Sequence, residues 1–74
     1  MREQLLKLLE EIQPYEEIEF ETKLFDEEIL DSLEFVEFLT AIEDVFGIHI
    51  PEEQINRSNF STILEIEKLL KSLR

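Results

Sequence analysis

The sequence predicts an all-α fold: a small four-helix bundle, three long helices and one short, with a long loop after the first helix. Three observations predict it. Apolar residues recur at helical spacing in three separate stretches. Pro14, Gly47 and Pro51 stand at the margins of those stretches. The chain has no Cys, so compactness has to come from well-patterned helices and not from disulfides.

The first helix is expected over residues 2–13, where Leu5, Leu8, Leu9 and Ile12 follow the i, i+3, i+4, i+7 rule with Leu6 beside them. Pro14 closes it, because proline cannot continue the ladder and restricts the residue before it. Residues 15–31 lack a sustained helical period. They are acidic, yet carry Tyr15, Ile18, Phe20, Leu24, Phe25, Ile29 and Leu30. A loop of that length is unusual in so small a domain, and its spaced apolar residues predict that it is pinned across the core. The second helix is expected from Ser32 to about Phe46. Asp31 as N-cap and Glu34 three residues on have the pattern of a capping box, and Gly47 suits the left-handed C′ position. Ile48–Ile50 is a connector, and Pro51-Glu52-Glu53-Gln54-Ile55 is expected as one or two turns of a short third helix with Pro at N1. After a loop at Ser58–Ser61, in which Phe60 is expected to plug the core, the last helix runs from about Thr62 to Leu73. Its buried stripe is Ile63, Ile66, Leu69, Leu70 and Leu73. Thr62 and Glu65 form its T-x-x-E start, and Lys68, Lys71 and Arg74 complement its C-terminal dipole.

Seventy-four residues suffice for one domain, so residues 1–74 are read as a single unit. A domain of this size buries only about 60% of its unfolded surface and sits near the margin of independent stability. Seven Lys and Arg against nineteen Asp and Glu give a net charge of −12. That excess argues against nucleic acid or an anionic membrane surface as partner, since phosphate needs cations to neutralise it. It also means that salt should stabilise the fold. A single His and no Cys exclude thiolate metal sites, Cys nucleophiles and most His-based metal centres, so no catalytic and no metal-binding residues are assigned. No apolar run approaches the ~18 residues of a spanning helix, and no signal peptide is recognised, so a cytoplasmic protein is expected.

On a wheel at about 100° per residue, Phe35, Phe38, Leu39, Ile42, Val45 and Phe46 share one arc of the second helix, which is taken as its core face. Leu33 lies nearly opposite, grouped with Glu37, Thr40 and Asp44, and Val36 sits on the boundary beside Ser32. Leu33 and Val36 are therefore apolar residues that the core does not require. A single exposed leucine is ordinary, but two of them beside a helix-start serine and rimmed by acids form a docking patch. Between Leu24 and Asn56 the chain has ten acids and no Lys or Arg; taken alone this is a solvated face that keeps a small protein soluble, and beside the apolar patch it is a surface of one sign that would steer a basic partner.

The Glu28-Ile29-Leu30-Asp31-Ser32-Leu33 segment resembles the D-S-L signature of the acyl carrier and peptidyl carrier family. The likeness extends through Phe25-Asp26 upstream and Val36-Glu37-Phe38, Ala41-Ile42-Glu43, Phe46-Gly47-Ile48, Ile50-Pro51 and Asn59-Phe60-Ser61-Thr62-Ile63 downstream, covering Leu5 to Leu73. The Ile-Leu-Asp-Ser-Leu form is closer to free-standing acyl and D-alanyl carriers than to the Gly-Gly-x-Ser form of multimodular peptide synthetases. Where the family often has Gly three or four residues before the serine, this chain has Glu28 or Ile29, so a non-glycine residue has to make that turn.

The resemblance implies a carrier protein, not an enzyme. Ser32 would be esterified by phosphopantetheine taken from coenzyme A, with Leu33 beside the attachment point and Asp31 either assisting the attachment or serving only as N-cap, and the arm would carry an acyl or aminoacyl group as a thioester. The implied partners are a phosphopantetheinyl transferase using Mg²⁺, an acyl- or aminoacyl-activating ligase, and an acyltransferase or synthase; the carrier would act as a monomer. Leu33, Val36, Glu37, Thr40 and Asp44 are the expected recognition residues, with Ile55 contributing from the short helix. His49, beyond Gly47, is read as a surface residue and a weak partner for Ser32. The bulk of Phe35 and Phe38 predicts little shelter for a long acyl chain, and the surrounding acids are expected to push the arm into solvent. The competing interpretation is an acidic helical interaction module without a prosthetic group. A Ca²⁺ site is disfavoured by the lack of a D-x-D-x-D-G loop.

Overall fold

The computed structural model describes residues 1–73 and is all-helical across them. Helix α1 spans Arg2–Ile12, α2 Ser32–Phe46 and α3 Ile63–Leu73. α1 packs against both of the others. The α1 stripe buries Leu5 and Leu9, and its partners supply Phe38 and Ile42 from α2 and Ile63, Ile66, Leu69 and Leu70 from α3. Across the top of this interface Arg2 reaches from α1 to Glu67 of α3, donating from Nη2 to Oε1 at 2.7 Å. Its guanidinium carbon also lies 5.7 Å from the centre of the Phe20 ring.

The first loop is tied down along its length, as its apolar spacing predicts. Ile18, Leu24, Ile29 and Leu30 are buried, and Phe20 and Phe25 pack partly buried against the core. The Leu24 amide donates to the Ser61 carbonyl at 2.8 Å, and the Gln13 side chain donates to the Ile29 carbonyl at 2.7 Å. The loop is therefore fastened both to the segment before α3 and to the end of α1. Tyr15 departs from the expectation: it is 97% exposed. It follows Pro14 in the turn that leaves α1, where the Glu16 amide bonds the Gln13 carbonyl, and the turn's tip faces water.

Two further expectations are corrected. The short third helix is a single 3₁₀ turn, Glu52–Gln54, closed by bonds from Gln54 to Pro51 and from Ile55 to Glu52. So short a segment has too few residues to nucleate an α-helical ladder. The described residues thus form three α-helices and one 3₁₀ turn. Val45 is 53% exposed and is not a core residue. It lies three residues past Ile42, turned about 60° from it, and no further turn of helix follows to wall it in. Phe35, Leu39 and Phe46 of the same arc are half-buried. Gly47 ends α2 at φ 62°, ψ 32°, the left-handed conformation expected there. Phe60 is fully buried. Thr62 caps α3 by accepting from the Glu65 amide at 3.1 Å. Lys71 stands in the last turn of α3, while Arg74 lies outside the described residues.

Candidate functional site

Ser32 is the first residue of α2, and its exposure follows from how that helix begins. Asp31 is extended, at φ −94° and ψ −175°, and its Oδ1 accepts from the Glu34 amide at 2.8 Å. Glu34 Oε1 returns the bond by accepting from the Asp31 amide at 3.1 Å. This is the expected capping box, and Asp31 is its N-cap. The amides of Ser32 and Leu33 and the Ser32 hydroxyl make no hydrogen bond among the described residues. An unengaged hydroxyl thus stands at the positive end of a fifteen-residue helix.

The approach to this serine is set by a second turn. Leu24 to Glu28 coil tightly, and the chain then reverses at Glu28, whose φ is 57°. The Ile29 amide bonds the Leu24 carbonyl at 2.9 Å and the Glu28 amide bonds the Phe25 carbonyl at 3.1 Å. That pair, around a left-handed residue, is the hydrogen-bond pattern of a Schellman motif. The reversal drops Ile29 and Leu30 into the core and delivers Asp31 and Ser32 to the surface. Glu28 is the non-glycine residue that the sequence required at this turn.

Beside Ser32 opens a groove of about 540 Å³. Phe25 and Phe35 line it with Val36 from α2, and Ile55 and Arg57 line it from the segment after the 3₁₀ turn. Phe35 is held edge-on between two other rings, 5.4 Å from Phe25 and 5.2 Å from Phe60. Leu33 is 69% and Val36 56% exposed. Glu37, Thr40 and Asp44 are exposed on the same helix, and the Thr40 hydroxyl donates back to the Val36 carbonyl at 3.0 Å. The expected recognition residues on α2 therefore share one solvent face, and half-buried Ile55 lines the groove with Val36. His49 does not join them. Its exposed ring lies past the far end of α2, 3.4 Å from Glu43, and a helix of fifteen residues is ~22 Å long.

Sequence reasoning passed over Arg57. It is the residue immediately after the stretch without cations, and that boundary was the signal available. The fold carries it back to the groove, where its guanidinium carbon lies 4.9 Å from the centre of the Phe25 ring. Among the described residues no group of three or more His, Cys, Asp or Glu is arranged to hold a metal, and no helix is long and apolar enough to cross a membrane.

Comparison with known proteins identifies the family. Residues 3–70 match the family model described as the phosphopantetheine attachment site. A D-alanyl carrier protein of Listeria welshimeri is 39% identical over 75 aligned residues, which cover 99% of this chain and 96% of the relative. One from Listeria monocytogenes is 37% identical over the same shares. Another, from Enterococcus faecalis, is 32% identical, covering 100% of this chain and 97% of the relative.

Proposed function

Since the chain belongs to the phosphopantetheine attachment family, as a carrier of an aminoacyl group and not an enzyme, we propose that Ser32 bears the arm and D-alanine is the cargo. The observation that carries the first half is the Ser32 hydroxyl: exposed, without a hydrogen bond among the described residues, and opening onto a groove. The residues present fit the group. A phosphodiester on Ser32 gains from the helix's positive end and from the free amides of Ser32 and Leu33. The groove's volume falls within the range of small-molecule sites, and its aromatic and aliphatic walls suit a slender, partly apolar chain.

Modification on this reading is a displacement at phosphorus. The Ser32 oxygen bonds to the pantetheine-side phosphorus of coenzyme A and its proton passes to a base on the transferase. The bond to the bridging oxygen breaks, and adenosine bisphosphate leaves. Once bound, the arm supplies a terminal thiol for the thioester, and a chain with no Cys offers no competing thiol. Asp31 serves through the capping box, which holds the first turn of α2, and with it Ser32, in place. Glu37 and Asp44, on the face that also shows Leu33 and Val36, complement a basic, partly apolar surface on the transferase and on the ligase.

D-alanine as cargo is supported by the relatives, which are D-alanyl carrier proteins, and by the packing around the groove. Phe25 and Phe35 line the groove and Phe35 packs edge-on against the fully buried Phe60, and a one-residue cargo needs no room inside the bundle. The 74 residues are read as one monomeric carrier domain, working in the cytoplasm where coenzyme A and the activating ligase are at hand. The test is intact mass after incubation with coenzyme A and a phosphopantetheinyl transferase, then with ATP, a D-alanine-activating ligase and either D- or L-alanine. One phosphopantetheinyl group followed by one D-alanyl group is expected, both abolished by Ser32→Ala. Addition to the Ser32→Ala variant, or charging with L-alanine in preference, overturns the assignment.

A further inference from the structure

We propose that Arg57 is the cationic partner of the phosphodiester on Ser32, holding the first part of the arm along the groove; this rests on Ser32 being the attachment point. Arg57 and Ser32 line the same groove. A phosphodiester keeps one negative charge throughout the working pH range, and here it is added to a surface of net charge −12. One carboxylate, Asp31, and one cation, Arg57, line that groove. The Asp31 carboxylate is already accepting the Glu34 amide in the capping box. The Arg57 guanidinium is uncommitted: among the described residues it makes no hydrogen bond, and no carboxylate comes within ion-pairing distance.

The Phe25 ring fixes where that guanidinium waits. Stacking on an aromatic face restrains the planar group while leaving its N–H donors free at the edge. A restrained fork loses less entropy when it closes on phosphate oxygens, and Arg with phosphate pairs in two parallel bonds that Lys cannot reproduce. Phe25 and Arg57 also form the wall between this groove and a smaller cavity of about 280 Å³ that Lys23 and Asp26 line. Asp26 lines that second cavity without pairing with Arg57, so modification of Ser32 supplies the first anion for the guanidinium to close on. The acids around α2 do not act alone on the arm, and its proximal end lies against the protein where the acidic surface by itself would expel it.

Phosphorus NMR of the modified protein tests this, with thermal melting of modified and unmodified forms of wild type, Arg57→Gln and Arg57→Lys at low and high salt. Intact mass first establishes one phosphopantetheinyl group on each sample. The expected results are a shifted ³¹P line in Arg57→Gln, and a rise in melting temperature on modification that is larger in wild type than in Arg57→Gln at low salt. Arg57→Lys should restore the salt-sensitive part of that rise, which a merely packing role for Arg57 would not. An identical ³¹P shift and an identical melting difference in wild type and Arg57→Gln overturn the proposal while leaving Ser32 as attachment point. A wild-type chain that gains no mass overturns both.

Discussion

Replacing Glu28 by Gly should stabilise this protein. Glu28 holds φ 57°, where an L-residue with a Cβ costs about 1–2 kcal/mol. Glycine removes that cost but gives back about 0.4–1 kcal/mol through the greater freedom of the unfolded chain. From the middle of each range the balance is a gain of about 0.8 kcal/mol, which in a domain of this size raises the melting temperature by roughly 3–6 °C. Removing one carboxylate from a chain of net charge −12 also stabilises, so the backbone contribution has to be separated from the charge. Glu28→Gln supplies that control, losing the charge and keeping the Cβ. Glu28→Asn loses the charge and tolerates the left-handed region better than Gln, so it should fall between the two. The assay is urea unfolding followed by far-UV circular dichroism, with the slope expected to stay constant and the midpoint to rise in the order wild type, Gln, Asn, Gly. If Glu28→Gly unfolds no later than Glu28→Gln, the turn is not strained at Glu28 and the Schellman reading of the Leu24–Leu30 segment is wrong.

Asp31→Ala should cost about 1 kcal/mol by removing the N-cap acceptor of α2 and one half of the capping box, seen as an earlier urea midpoint. The Arg2–Glu67 pair should give the acid limb of stability a recognisable shape. The hydrogen bond from Arg2 holds the Glu67 carboxyl below its usual range, so its contribution is full above that range and fades as pH falls through the depressed value. The difference in urea midpoint between wild type and Glu67→Gln should therefore be largest near pH 7 and shrink towards pH 3. Comparing variants cancels the general relief of acid repulsion on protonation. Glu37→Lys, on the exposed face of α2, should lower kcat/KM for modification or loading several-fold at low salt, with the gap closing at high salt and the melting temperature nearly unchanged.

The helices were legible because burial leaves a period. Leu5 and Leu9, and Ile63, Ile66 and Leu70, stand at helical spacing and are fully buried, and the Asp31–Glu34 cap and the Gly47 stop announce the ends of α2 by residue type alone. The exposure of Leu33 and Val36 was legible on the same wheel, since it is the complement of the core arc. Val45 was not, because periodicity gives an angle around a helix and says nothing of whether a neighbour covers that level of it. Tyr15 failed for a related reason: an aromatic ring in a loop signals burial only if the chain turns inward there. Arg57 was hidden differently. It lies twenty-five residues from Ser32 in sequence, and only the path of the chain around Phe25 brings the two to one groove.

At the head of α2 the anchoring of the helix and the proposed chemistry fall to neighbouring residues. Asp31 fastens the first turn, so the proposed attachment on Ser32 would break no hydrogen bond of the fold, and charging and discharging its arm would leave the capping box intact. Successive enzymes would then meet one unvarying platform and tell an empty shuttle from a full one only by what hangs from it.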